Sequence, residues 1–171
     1  NIDSKSLENL KNNYYSELKK HTKNKSFITD KNLLNFKFIG IILKTFPNAK
    51  IIHTTRNPSS ICWSIYTKYF PNKALGFSYN LNDIVSYYKL YKNLMDYWYD
   101  NFTNKIYELK YENLINDQRN ETINLIKYLN LSWENDCLYP EKNKQIVMTA
   151  SDQQIREPIH KKNISSWKNF L

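Results

Sequence analysis

A short apolar run that stops at an arginine and passes at once into helical periodicity is the feature that most constrains this chain. Ala49–Thr55 reads AKIIHTT, β-branched and with apolar positions on both faces, the pattern of a buried parallel strand. Arg56, Asn57 and Pro58 follow. Asn is a favoured helix cap and Pro is best tolerated at the first helical position, so Pro58–Tyr69 is predicted to be a helix. Arg56 then sits at the carboxyl end of a strand, where open α/β sheets bind their ligands.

The rest of the chain repeats this alternation. Leu7, Leu10, Tyr14 and Leu18 fall on one stripe of a first helix, with Ser4 or Ser6 as its cap. Ser26–Asp30 reads as a short strand and Asn35–Phe46 as a helix stopped by Pro47. Pro71–Asn80 is a loop around Gly76, and Leu81 to Trp98 carries the spacing of a long amphipathic helix. Lys105–Lys110 alternates as a third strand, with Tyr107, Leu109 and Tyr111 to one side. Asn120–Leu129 is helical, Trp133–Leu138 a short helix or turn, and the tail from Glu141 polar, basic and irregular. Alternating helices and strands define an α/β class with a mostly parallel sheet, flanking helices and right-handed crossovers. At 171 residues a single domain is expected.

Composition narrows the partners. Lysine and arginine number 25 against 16 acidic residues, a net charge of +9, which favours nucleic acid, phosphorylated nucleotides, anionic lipid or acidic substrates. A solvated lysine-rich surface gives the same total. Only two glycines occur, which excludes a Walker P-loop and a G-x-G-x-x-G fingerprint. The two cysteines, Cys62 and Cys137, stand in no metal-ligand spacing; no metal site and no disulfide scaffold are expected, and a reducing compartment fits. No run approaches the roughly 20 apolar residues of a membrane span, and no signal peptide opens the chain. The expected location is cytoplasmic.

Chemistry concentrates after the strand. On the predicted helix Ser60, Ser64 and Lys68 recur at i, i+4 and i+8, which stacks them on one face. With Arg56 they make an anion site suited to phosphate; the alternative is a capping arginine beside a solvated serine and lysine. Tyr111, in ELKYENLINDQ, can stack on a base or serve as a core tyrosine, one of 14. Lys31, in FITDKNLLNF, reads by itself as a solvated charge. Glu108 and Glu112 read as structural or solvated, His53 as a buried, hydrogen-bonded strand residue, and Arg156 and His160 as surface residues. No general base stands out.

Taken in order, FPNAKIIHTTRNP with Ser64 eight positions after Arg56, the phrase around Tyr111, the Asp30-Lys31 pair and MTASDQQ resemble the sulfotransferases that use 3′-phosphoadenosine 5′-phosphosulfate (PAPS). The likeness runs from about Lys31 to Trp167 and is closest to the protein-tyrosine sulfotransferases and their bacterial relatives. It implies a nucleotide-kinase-like α/β fold and transfer of a sulfuryl group from PAPS to an acceptor hydroxyl or amine. Adenosine 3′,5′-bisphosphate would be the product, and no metal would take part. By the same resemblance Arg56, Ser64 and Lys68 would bind the 3′-phosphate and Tyr111 would hold the nucleoside. Lys31 would stabilise the transferring group and Ser151 would contact the sulfate end. The general base and the 5′-phosphosulfate loop of such enzymes have no counterpart here, so the 171 residues are expected to be the C-terminal portion of the full domain, without its N-terminal βα unit. One departure is Ser166 before Trp167, where the relatives carry Lys or Arg. The expected partner is a small-molecule or peptide acceptor, with neither nucleic acid nor a membrane span. Two other classes stay open: a basic nucleic-acid-binding module acting through lysines and stacked aromatics, and a catalytically silent relative that keeps the fold for interaction.

Overall fold

Asp3, ahead of Ser4, opens the first helix: its carboxylate accepts the Ser6 N–H at 2.7 Å. A carboxylate is the stronger acceptor for an orphan N–H and suits the positive end of the helix dipole, so neither Ser4 nor Ser6 serves as the cap. The computed structural model describes residues 2–22, 26–70, 73–143, 159 and 167–168. Its helices are α1 (Ser4–His21), α2 (Ile39–Thr45), α3 (Pro58–Tyr66), α4 (Leu81–Asn101), α5 (Tyr111–Asn116) and α6 (Gln118–Tyr128). Strands β1 (Ile51–Thr55) and β2 (Ile106–Lys110) pair in a small parallel sheet, and the chain is α/β as its periodicity predicts. Short 3₁₀ turns occupy Asn35–Phe38, Lys73–Tyr79, Asn135–Leu138 and Pro140–Lys142.

The chain divides into two compact units. One comprises Asn1–Ile51 and Tyr91–Lys105. Its core holds Ile39 and Leu43 of α2 and Met95 of α4, all buried. Tyr14 and Tyr15 of α1 flank the Phe46 ring, with centroids 5.1 and 5.6 Å away. Trp98 donates its indole N–H to the Phe36 carbonyl at 2.8 Å. Gly40 lies under this indole, and a Cβ there would come within 2.9 Å of Trp98 Cη2 and Cζ3. Absence of a side chain is what lets the α2 backbone approach the ring.

The other unit comprises Ile52–Leu90 and Ile106–Leu171. Ile84 and Leu109 are its buried apolar anchors, and Phe77 stacks on Tyr87 at 4.3 Å. Helix α6 ends in a Schellman turn: Asn130 has φ of 58°, its N–H reaches the Lys127 carbonyl, and Leu131 N–H reaches that of Ile126. Asn104 takes a similar left-handed conformation, φ 65°, just before β2. In so glycine-poor a chain asparagine supplies the left-handed residues, because its short polar side chain tolerates them better than others do.

Four further expectations are corrected. Ser26–Asp30 is not a strand, so the described residues hold two strands rather than three; Phe27 is 73% exposed and the segment is tied down by side chains instead. Helix α3 stops at Tyr66, short of Tyr69, where Thr67 turns its hydroxyl back on the Trp63 carbonyl at 2.9 Å. Such back-bonding competes with further helical hydrogen bonds. Tyr111, expected to close the third strand, instead opens α5 (Tyr111–Asn116). Strand β1 alternates half-buried Ile51, His53 and Thr55 with exposed Ile52 and Thr54, whereas burial on both faces is what the sequence predicts.

Candidate functional site

Two parallel strands end side by side in the second unit, and each hands the chain to a helix. Past β1 come Arg56, then Asn57 as the cap of α3, accepting the Ser60 N–H at 3.1 Å, with Pro58 at the first helical position. Past β2 comes Tyr111, the first residue of α5. The strand ends are tied by side chains. Thr55 donates its hydroxyl to Glu108 at 3.1 Å, and Lys110 pairs with the same carboxylate at 3.6 Å.

Beyond the strands the two turns meet. The Arg56 guanidinium carbon lies 5.2 Å from the centroid of the Tyr111 ring. A guanidinium over an aromatic face gains about 1 kcal/mol and leaves its in-plane N–H groups able to donate to an anion. Directly beside it Glu112 accepts the Asn57 N–H at 2.8 Å. A carboxylate on a backbone N–H forms one of the stronger hydrogen bonds available to a protein. Both Arg56 and Tyr111 are half-buried. The pair therefore places a cation beside a partly shielded ring, an arrangement suited to an anionic ligand.

Of the residues singled out in the sequence, the structure brings Arg56 and Tyr111 together. Ser60 is buried at the start of α3 and Ser64 is half-buried two-thirds of the way along it. Lys68 does not share their helical stripe: it stands two residues past the end of α3, exposed, its N–H on the Ile65 carbonyl at 3.2 Å. Lys31 belongs to the first unit and is exposed, just before a turn ahead of Asn35 rather than after a strand. Ser151, Arg156, His160 and Ser166 lie outside the described residues. Glu108 and Glu112 have structural partners, as the sequence suggested, and His53 is half-buried in β1. Burial pushes the Cys62 thiol of α3 upward, away from the reactive thiolate form.

What the sequence reading missed is the Glu112–Asn57 link. No local signal marks it, because the two residues lie 55 positions apart and meet through strand pairing.

A strand-to-helix turn that presents an arginine against a tyrosine from the neighbouring parallel strand lies where open α/β sheets bind their ligands. Residues 5–135 match the model of the sulfotransferase family, and the chain belongs to that family. It is also 31% identical over 171 residues to an uncharacterized protein of Aquifex aeolicus (strain VF5). That match covers 99% of this chain and 22% of the relative, so the chain spans about a fifth of the relative's length.

Proposed function

We propose that this domain transfers a sulfuryl group from PAPS to an acceptor hydroxyl or amine. The observation that carries the proposal is the Arg56–Tyr111 pairing at the ends of two parallel strands, in a chain of the sulfotransferase family. Arg56 grips the 3′-phosphate of the donor through charge-assisted hydrogen bonds. Ser64 adds a hydroxyl from α3 and Lys68 adds long-range charge. Tyr111 holds the nucleoside and keeps the guanidinium in plane.

In the transfer step the acceptor oxygen or nitrogen attacks sulfur, the bond from sulfur to the 5′-phosphate oxygen breaks, and the acceptor loses its proton. Negative charge spreads over the sulfuryl and leaving oxygens, as in phosphoryl transfer, and a fixed ammonium there lowers the barrier. Lys31 is assigned that role and Ser151 the sulfate end of the donor. The acceptor is a small molecule or peptide, and the protein-tyrosine branch is the part of the family we place it nearest.

The test is transfer of labelled sulfate from PAPS into a panel of phenols, tyrosine peptides, sugars and amines. Label should appear in one acceptor class, with adenosine 3′,5′-bisphosphate released in equal amount. Bisphosphate binding without label transfer to any acceptor would overturn the catalytic part of the reading.

A further inference from the structure

Lys31 stands just before a turn shaped by its neighbours Asp30, Asn32 and Asn35. Asn35 donates its amide to Asp30 Oδ1 at 3.4 Å, Asn32 Oδ1 accepts the Leu34 N–H at 2.9 Å, and the Asn32 carbonyl accepts the Asn35 N–H at 3.1 Å. These bonds shape the turn but attach it to nothing else. One attachment runs through the other oxygen of Asp30, which accepts the Tyr14 hydroxyl at 2.7 Å, across 16 residues of chain. The donor is rigid: Tyr14 is half-buried on α1 and its ring lies against Phe46. A short hydrogen bond from a packed phenol to a carboxylate fixes position as well as energy.

We infer that Tyr14 and Asp30 are positioning residues for Lys31, locking the backbone immediately before the lysine to helix α1 so that its ammonium is held at one place. This rests on the reading of Lys31 as the group that meets the sulfuryl moiety. A lysine carries its ammonium on a flexible four-carbon stem, so a catalytic one gains most from a backbone that does not move. Neither Tyr14 nor Asp30 touches donor or acceptor in this account; each acts through the lysine.

The experiment compares affinity for PAPS with affinity for adenosine 3′,5′-bisphosphate, which lacks the sulfuryl group, by calorimetry on the full chain. Lys31→Met sets the reference by reducing the preference for PAPS. Tyr14→Phe keeps the ring on Phe46 and removes the hydroxyl; it should lower PAPS affinity about fivefold, leave bisphosphate affinity within about twofold, and add nothing in the Lys31→Met background, as coupled residues do. Asp30→Ala should behave alike, while Asp30→Asn, which keeps a carbonyl acceptor, should restore most of the preference. A purely structural tie would lower both affinities together. Tyr14→Phe and Asp30→Ala that keep the PAPS preference while Lys31→Met loses it would overturn the positioning role alone. An unchanged preference in Lys31→Met would overturn the assignment of Lys31 and the positioning role with it.

Discussion

Glu112 and Asn57, 55 residues apart in the chain, are joined by a 2.8 Å hydrogen bond from backbone N–H to carboxylate. The bond fastens the turn that carries Arg56 to the helix that carries Tyr111. Glu112→Ala should cost about 1.5 kcal/mol of stability, the usual scale for a hydrogen bond to a charged group. It should also weaken bisphosphate binding, because the turn that carries Arg56 then loses a tie to the helix that carries Tyr111. Glu112→Gln keeps an acceptor oxygen and should recover most of both losses in denaturant titrations and calorimetry.

Gly40→Ala sets two effects against each other. Alanine is favoured over glycine in a helix by about 1 kcal/mol, yet its Cβ would meet the Trp98 ring at 2.9 Å. The ring has little room to retreat, since its N–H is bonded to the Phe36 carbonyl and it packs beside Phe102 with ring centroids 5.7 Å apart. Overpacking on the order of 2 kcal/mol should win. Thermal unfolding should fall by several degrees, and adding Trp98→Leu should lose less than the two single changes summed.

Tyr14 gives the protein an alkaline limit. Burial, reinforced by the Asp30 carboxylate, pushes its hydroxyl from 10.0 up to about 12. Between those values the unfolded tyrosine has released its proton while the folded one retains it, so stability falls as pH rises. The contribution is fully present below pH 10 and gone above about 12. The difference in stability between the native chain and Tyr14→Phe should therefore shrink across that window. A difference that grows with pH would contradict the contact.

Ser64 and Lys68 should not be equivalent. Ser64 is half-buried on α3, whereas Lys68 is exposed and beyond the helix end. Ser64→Ala should reduce bisphosphate affinity by about tenfold at any salt, the loss of one hydrogen bond to a charged group. Lys68→Ala should have a smaller effect that vanishes as salt screens it.

The parts of the fold legible in the sequence were those written in local chemistry. The β1–α3 junction was announced by the residues Ile51 to Pro58, and α4 by its long apolar stripe. Ser26–Asp30 misled because Phe27, Ile28 and Thr29 have strand propensity, and propensity does not reveal whether a neighbouring strand exists to pair with. The end of α3 depended on the Thr67 hydroxyl choosing the Trp63 carbonyl, a competition that periodicity does not register. Within the site, Arg56 and Tyr111 were each visible as candidates. Their juxtaposition, and the clasp of Glu112 on Asn57, are products of parallel strand pairing between segments some 55 residues apart, and no local pattern encodes a non-local register.

Recognition of the 3′-phosphate by Arg56 is the claim on which the account turns, and competition calorimetry reads it directly. The chain should bind adenosine 3′,5′-bisphosphate far more tightly than 5′-AMP, and Arg56→Ala should erase about 2 kcal/mol of that preference while leaving 5′-AMP nearly unaffected. Equal affinity for the two nucleotides in the native chain would contradict it.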